Sequence, residues 1–192
     1  MTTESLFQEL EKITKTSIDT VQKQLSKLSH SQLEWKPNSE TWNLLEIFAH
    51  LNEYALYYHP AFSKKIDTTR FRDPKEQFIS SPLGRSAWKS MKLGNAKNVK
   101  RKFKAPRLYN PTIVSSIVKP TAITDFIAQQ NELLEILKKA RTINIRKSKV
   151  GISISKIIRL RFGDALLFVI YHNERHVQQA INLINQRNFP KK

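Results

Sequence analysis

Four segments of the chain repeat apolar residues at steps of three and four, the spacing that lines up one face of an α-helix. We predict helices over about residues 5–29, 44–66, 121–140 and 164–186. Glycine is scarce, with 4 residues in 192, and the alternation typical of strands is rare. Because each apolar stripe has to be buried against another element, the pattern predicts an all-α domain built as a four-helix bundle.

Two of these predicted helices begin at residues that suit an N-cap. Asn43 is followed three residues later by Glu46, the spacing of a capping box, and Trp42 can pack on Ile47 as a hydrophobic staple. Asp164 suits the N-cap position of the last helix. These signals predict where the second and fourth helices start.

The connection between the second and third helices, residues 67–119, is unusually long. It contains four prolines and two glycines, and we predict only a short helix in it, at about 85–91. A connection of this length permits a crossover that leaves the second and third helices parallel. We therefore expect an up-down-down-up bundle with a long basic crossover insertion, within a single domain over 1–192. Another short helix is predicted at 153–160.

The formal net charge is +17, and it is unevenly distributed. Residues 77–124 and residues 136–163 contain no Asp or Glu, although both stretches are rich in Lys and Arg. Such positive fields attract nucleic acid, an acidic membrane surface or an anionic small molecule. We expect a small-molecule substrate that is itself anionic, with nucleic acid as the less favoured partner.

The chain contains no cysteine, which excludes disulfides, thiolate metal ligands and a cysteine nucleophile. This composition is consistent with a cytoplasmic protein. The first residues lack the basic start and apolar run of a signal peptide. No apolar run approaches the roughly 18 residues of a membrane span, so we predict none.

Two of the five histidines, His172 and His176, lie four residues apart in the last predicted helix. Positions i and i+4 project from one helix face, so two imidazoles there can bind one metal ion. The same face carries Val169, Ala180 and Leu183, which indicates that both histidines point inward. A spacing of this kind also arises by chance, and a buried histidine is often only a hydrogen-bonded core residue.

A third histidine, His50, also lies on a mostly apolar stripe, in the second predicted helix. If that helix runs antiparallel beside the last one, His50 lies at about the same level as His176. Three protein ligands would leave a coordination position open, as in catalytic metal sites. Glu53 could orient His50 or add an oxygen ligand, whereas a solvated position is the simpler expectation. His30 and His59 are interpreted as surface or packing residues.

Several short motifs, in order along nearly the whole chain, resemble the DinB/YfiT-like superfamily. They are Trp35-Lys-Pro, Trp42 followed by a polar cap and Glu46, Ala49-His50-Leu51, Leu160-Arg-Phe-Gly-Asp164, and His172-x-x-Arg175-His176-x-x-Gln179. Residues 67–119 match nothing in the pattern. The resemblance implies an up-down-down-up bundle, a homodimer, and a divalent metal ion, often zinc or nickel, held by three histidines that map to His50, His172 and His176.

The resemblance also implies a class of chemistry. Relatives include thiol-dependent S-transferases that use bacillithiol, a mycothiol-dependent isomerase, the metal-binding part of ergothioneine-forming enzymes, and proteins classed as metal-dependent hydrolases. Because this chain has no cysteine, a thiolate would have to come from a low-molecular-weight thiol cofactor. Arg175 and Arg161 are the candidates for binding the anionic groups of that cofactor.

Two other interpretations stay open at this point. The basic stretch 77–124 is interleaved with aromatic residues, which suits a bundle that binds single-stranded nucleic acid or another polyanion; these residues are Phe78, Trp88, Phe103 and Tyr109. The chain could also be a metal-binding bundle without catalysis. The sequence does not separate these possibilities from a metal-dependent transferase or hydrolase.

Overall fold

A computed structural model describes residues 1–94 and 104–191 of the chain. The described part is mostly helical and contains one small two-stranded sheet. Its elements, in chain order, are α1 (Thr3–Gln24), α2 (His30–Glu34), α3 (Leu44–Thr68), α4 (Pro82–Met91), α5 (Ala122–Ala140), β1 (Lys149–Ile152), β2 (Ser155–Arg161) and α6 (Phe162–Ile184). Two 3-10 turns, Arg107–Tyr109 and Ser115–Ile117, lie between α4 and α5.

The four long helices pack against one another in a closed ring. Helix α3 contacts α5 and α6, and α1 contacts the same two helices from the opposite side. Their apolar faces form the core, whose largest fully buried side chains include Phe48, Phe62, Phe126 and Tyr171. The four long amphipathic helices were therefore predicted correctly, whereas the order of their directions stays a prediction.

The capping box predicted at the start of the second long helix is confirmed. The Asn43 side-chain oxygen accepts from the Glu46 amide at 2.8 Å, and the Glu46 carboxylate accepts from the Asn43 amide at 2.9 Å. Lys36 forms an ion pair of 2.6 Å with the same carboxylate. Helix α3 therefore has a defined start, which sets the height of its inward-facing side chains along the bundle.

The predicted short helix at 153–160 is wrong. Residues 149–161 form an antiparallel hairpin, in which β1 pairs with β2. Four β-branched isoleucines in this segment favour a strand, and Val150 pairs with Leu160 on the face that is buried against the core. The all-α prediction therefore holds for the long elements and misses this hairpin.

Asp164 is not the N-cap that the sequence indicated. Helix α6 begins directly after β2, at Phe162, so Asp164 lies within the first turn. Its fully buried carboxylate accepts from the backbone amide of Ser81 at 3.0 Å and from the Ser81 hydroxyl at 2.9 Å. The carboxylate thus ties the start of α4 to the start of α6.

The first long helix ends earlier than the predicted residue 29, and a separate short helix that was not predicted follows it. Helix α1 ends at Gln24, and α2 then begins behind Ser29, whose side chain forms a capping box with Gln32. In the long connection, the short helix predicted at 85–91 lies within α4, which packs on α6. None of the described helices is long and apolar enough to cross a membrane.

Candidate metal centre

Three histidines from two helices converge between α3 and α6. The ring centroids of His172 and His176 are 4.6 Å apart. The centroid of His50 lies 5.1 Å from that of His172 and 4.8 Å from that of His176. One ring nitrogen from each residue lies within 4.8 Å of the other two. The structure therefore brings together the three residues that the sequence singled out.

The spacing of two of these nitrogens suits a metal ion. Nε2 of His50 and Nε2 of His172 are 3.3 Å apart. Two ligand nitrogens that each lie 2.0–2.1 Å from a tetrahedral ion are separated by about 3.3–3.4 Å. The observed distance between the two nitrogens therefore matches the separation of two ligands in a tetrahedral site.

Hydrogen bonds fix which nitrogen of two of the rings faces the cluster. The backbone carbonyl of Tyr109 accepts from Nδ1 of His50 at 2.6 Å, since a carbonyl can only accept. The Gln179 side-chain oxygen likewise accepts from Nδ1 of His176 at 2.9 Å. In both neutral rings the lone pair is then on Nε2, the pattern of metal-binding histidines whose other nitrogen is held by a neighbour. Nδ1 of His172 is buried without a hydrogen-bond partner.

Burial keeps all three rings neutral. It lowers the pKa of His50 to about 4, although the bond to the Tyr109 carbonyl acts in the opposite direction. Burial also lowers the pKa of His172 and of His176, and His50 and Arg175 lower both further. His176 adds to the shift of His172, whereas the bond to Gln179 opposes the shift of His176. Neutral imidazoles are the form that binds a metal ion, so the donor set at pH 7 fits a divalent cation.

Aromatic rings enclose the histidines on several sides. Tyr54 lies 4.4 Å from the His172 ring, Phe168 stacks on the same ring at 5.9 Å, and Trp42 lies 5.0 Å from His50. Trp42 also stacks on His176 at 6.3 Å. Apolar rings this close to the histidines limit contact with water, and a lower local dielectric constant strengthens any interaction with a charge placed between the histidines.

The family model described as "DinB superfamily" matches residues 13–180 of the chain. The chain belongs to the DinB superfamily. No curated protein and no solved structure gave a match. The matched DinB range contains all three histidines and all of α3, α5 and the hairpin, so the resemblance predicted from the short motifs is confirmed.

The two arginines predicted to bind a cofactor lie in different places. Arg175 is buried on α6 between His172 and His176 in the chain, and burial lowers its own pKa. Its charge acts on both histidines, since it contributes to their lowered pKa values. Arg161 ends β2 and donates to the carbonyl of Ile79 at 2.5 Å, which directs it toward the segment before α4. Cofactor binding by either residue stays a prediction.

The remaining candidates near the site have other surroundings. His59 is buried in the interface between α3 and α5, where its Nδ1 lies 2.8 Å from a Glu132 carboxylate oxygen, and His30 is exposed beside Glu34. Glu53 is not part of the cluster of three histidines, and burial raises its pKa. His59 is thus a packing residue and His30 a surface residue, as predicted.

Sequence reasoning missed the aromatic rings around the histidines and the backbone carbonyl that orients His50. Tyr54 and Phe168 lie one helical turn from His50 and His172, so the i,i+4 rule could have found both. Trp42 was assigned to a hydrophobic staple only. The Tyr109 carbonyl carries no signal in the sequence, because a backbone oxygen can come from any residue type.

The metal-free protein is expected to lose stability as the pH falls from about 6.5 to about 4. An unfolded histidine titrates near pH 6.5, whereas folded His50 titrates near 4. Below pH 6.5 the unfolded chain binds a proton that the folded chain does not, so the stability present above this pH is progressively lost. For His50 alone the loss amounts to roughly 3 kcal/mol.

Urea denaturation at pH 7, 5.5 and 4.5 measures this loss. The matched variant is His50→Gln, which stays neutral throughout the range and is expected to show a shallower dependence on pH. If wild type and His50→Gln lose the same free energy of unfolding between pH 7 and 4.5, His50 does not have the lowered pKa.

Proposed function

We propose that this DinB-superfamily chain is a metal-dependent enzyme that holds one divalent ion, zinc or nickel, through His50, His172 and His176. The observation that carries the proposal is the convergence of three neutral imidazoles between α3 and α6, of which His50 and His172 are buried and His176 is partly buried. Two of these rings have Nδ1 engaged with Tyr109 or Gln179, which leaves Nε2 for the ion.

An ion held by three neutral ligands keeps its full charge and a free coordination position, and it would lower the pKa of a thiol or a water bound there. The residues of the chain bind and orient that group. Trp42, Tyr54 and Phe168 exclude water from the histidine side of the site, and Arg175 adds positive charge that favours an anionic substrate.

The reaction class follows from the same features. The chain has no cysteine, so a thiol-dependent S-transferase would take its nucleophile from a low-molecular-weight thiol, whereas a hydrolase would use water. We place S-transfer first, because a soft thiolate binds strongly to zinc and nickel. A homodimer, a single domain over 1–192, the up-down-down-up order and a cytoplasmic location belong to the same proposal.

The test is turnover by the metal-loaded protein. Zinc- or nickel-loaded protein is mixed with bacillithiol and an alkylating electrophile, and loss of free thiol is followed with time. Metal-dependent consumption that disappears in His172→Ala and persists in His30→Ala supports the transferase. An activated ester tests hydrolysis in the same way. Protein that holds stoichiometric metal but consumes neither the thiol and electrophile nor the ester would be a metal-binding protein without catalysis.

Binding of nucleic acid is the second candidate. It requires the aromatic residues of the basic stretch to be accessible for stacking on bases. Phe78 is buried in the core against Gly163, and Trp88 packs on Tyr171 and donates to the Ser80 hydroxyl at 3.1 Å. Tyr109 lies against Tyr54 beside the histidines, and Phe103 is outside the described residues. Few of these rings can stack on bases, which favours the enzyme.

A further inference from the structure

The hairpin of β1 and β2 carries an exposed apolar tip. Ile154, Ile157 and Ile158 are 66%, 89% and 40% exposed, and we call these three residues the isoleucine tip. Ile157 has the highest exposure of the large apolar side chains in the described part of the chain. Grouped apolar side chains in water are costly, and such groups mark surfaces that bind something.

The tip is held in place rather than collapsed onto the core. The amide of Ser153 donates to the Tyr58 hydroxyl at 3.3 Å, which ties the turn of the hairpin to α3. The pairing of the strands shifts after Gly151, and the Ser155 hydroxyl accepts from the amides of Ile157 and Ile158. An irregularity of this kind breaks the regular alternation of side chains along a strand, and the three exposed isoleucines follow it in the chain.

The outward face of the hairpin is basic. Val150 and Leu160 pair on the buried face, so their neighbours Lys149, Arg159 and Arg161 lie on the opposite side. Lys149 and Arg159 are exposed there, whereas Arg161 donates to the Ile79 carbonyl. Like charges directly across a strand pair repel each other. In the described part of the chain no ion pair includes any of these three cations, and residues 136–163 contain no acid to neutralise them.

We propose that this hairpin docks on an anionic lipid bilayer, with the isoleucine tip in the interfacial region and the exposed Lys149 and Arg159 against the headgroups. A bilayer surface offers both apolar depth and negative charge, which the two parts of the hairpin require together. A second copy of the chain would place one basic face against another. Nucleic acid would neutralise the cations but leave three aliphatic side chains in water.

Co-sedimentation with vesicles tests the proposal. Wild-type protein is mixed at low salt with vesicles of phosphatidylcholine alone or with 30% phosphatidylglycerol, at increasing lipid concentration. We expect binding to the anionic vesicles only, weakened at high salt because the headgroup charges are screened. Ile157→Ser should reduce the partition coefficient roughly tenfold, and Arg159→Gln about fivefold.

Two matched variants separate the hairpin from general effects of charge and hydrophobicity. Ile113→Ser removes an exposed isoleucine outside the hairpin, and Arg187→Gln removes an exposed arginine near the C-terminal end. Both are expected to bind the vesicles within about twofold of wild type. The hairpin variants change exposed side chains, so their thermal unfolding should match wild type.

Three results would overturn the proposal. The first is no binding to anionic vesicles at low salt. The second is binding by Ile157→Ser and Arg159→Gln that equals that of wild type. The third is conversion of a dimer into a monomer by Ile157→Ser, which would mean that a second copy of the chain covers the tip. The outcome is independent of the metal site, since metal-free wild-type protein is expected to bind vesicles as well as metal-loaded protein does.

Discussion

Replacing His176 with alanine is expected to weaken the binding of zinc by roughly 10²–10³-fold. Structural zinc sites with four protein ligands bind with about 10–16 kcal/mol, or about 2.5–4 kcal/mol for each ligand. Removing one of three ligands should lose an amount of this order, and each 1.4 kcal/mol is a factor of ten in the dissociation constant. Competition with a chromogenic chelator at pH 7 measures the difference.

Two further variants give this measurement its controls. His30 lies on the surface beside Glu34, away from the histidine cluster, so His30→Ala should bind zinc as wild type does. Gln179 holds Nδ1 of His176 and is not itself a ligand, so Gln179→Ala should weaken binding by about 10–100-fold. Equal affinity of wild type and His176→Ala would exclude His176 as a ligand.

Replacing Phe126 with alanine is expected to lower the free energy of unfolding by about 3–5 kcal/mol. The Phe126 ring is fully buried on α5, with its centroid 5.0 Å from that of Phe48 on α3. Its removal leaves a cavity between the two helices that the surrounding core fills only in part. Urea denaturation of the metal-free protein at pH 7 measures the loss.

The conservative variant Phe126→Leu fills most of the same space. It should cost less than about 1.5 kcal/mol if packing volume alone decides the effect. A loss below 1 kcal/mol for Phe126→Ala would contradict the packing between α3 and α5. Phe48 lies two residues before His50 on α3. That result would therefore also mean that packing against α5 does not fix the position of His50.

The long helices could be predicted because their apolar spacing is a local property of the sequence. The same spacing predicted the inward direction of His50, His172 and His176, since each lies within an apolar stripe. What the sequence did not provide was their mutual distance. That depends on the contact between α3 and α6, which forms between residues about 120 positions apart.

The two wrong predictions, the short helix at 153–160 and the N-cap at Asp164, each have a physical cause. A short helix was predicted at 153–160, although Val150, Ile152 and Ile154 alternate with Gly151 and Ser153, a period of two that favours a strand. The segment becomes a strand because Val150 and Leu160 find a buried surface on the rest of the protein. Asp164 has the chemistry of an N-cap, but its carboxylate binds Ser81, 83 residues away, through a contact that only the tertiary fold creates.

The central claim is that one metal ion lies between the three histidines. Anomalous diffraction from crystals of the zinc- or nickel-loaded protein, collected on both sides of the absorption edge of the metal, tests it most directly. We predict a single strong anomalous peak about 2.0–2.1 Å from Nε2 of His50, His172 and His176. A fully loaded crystal with no peak there, or with its peak at other residues, would contradict the claim.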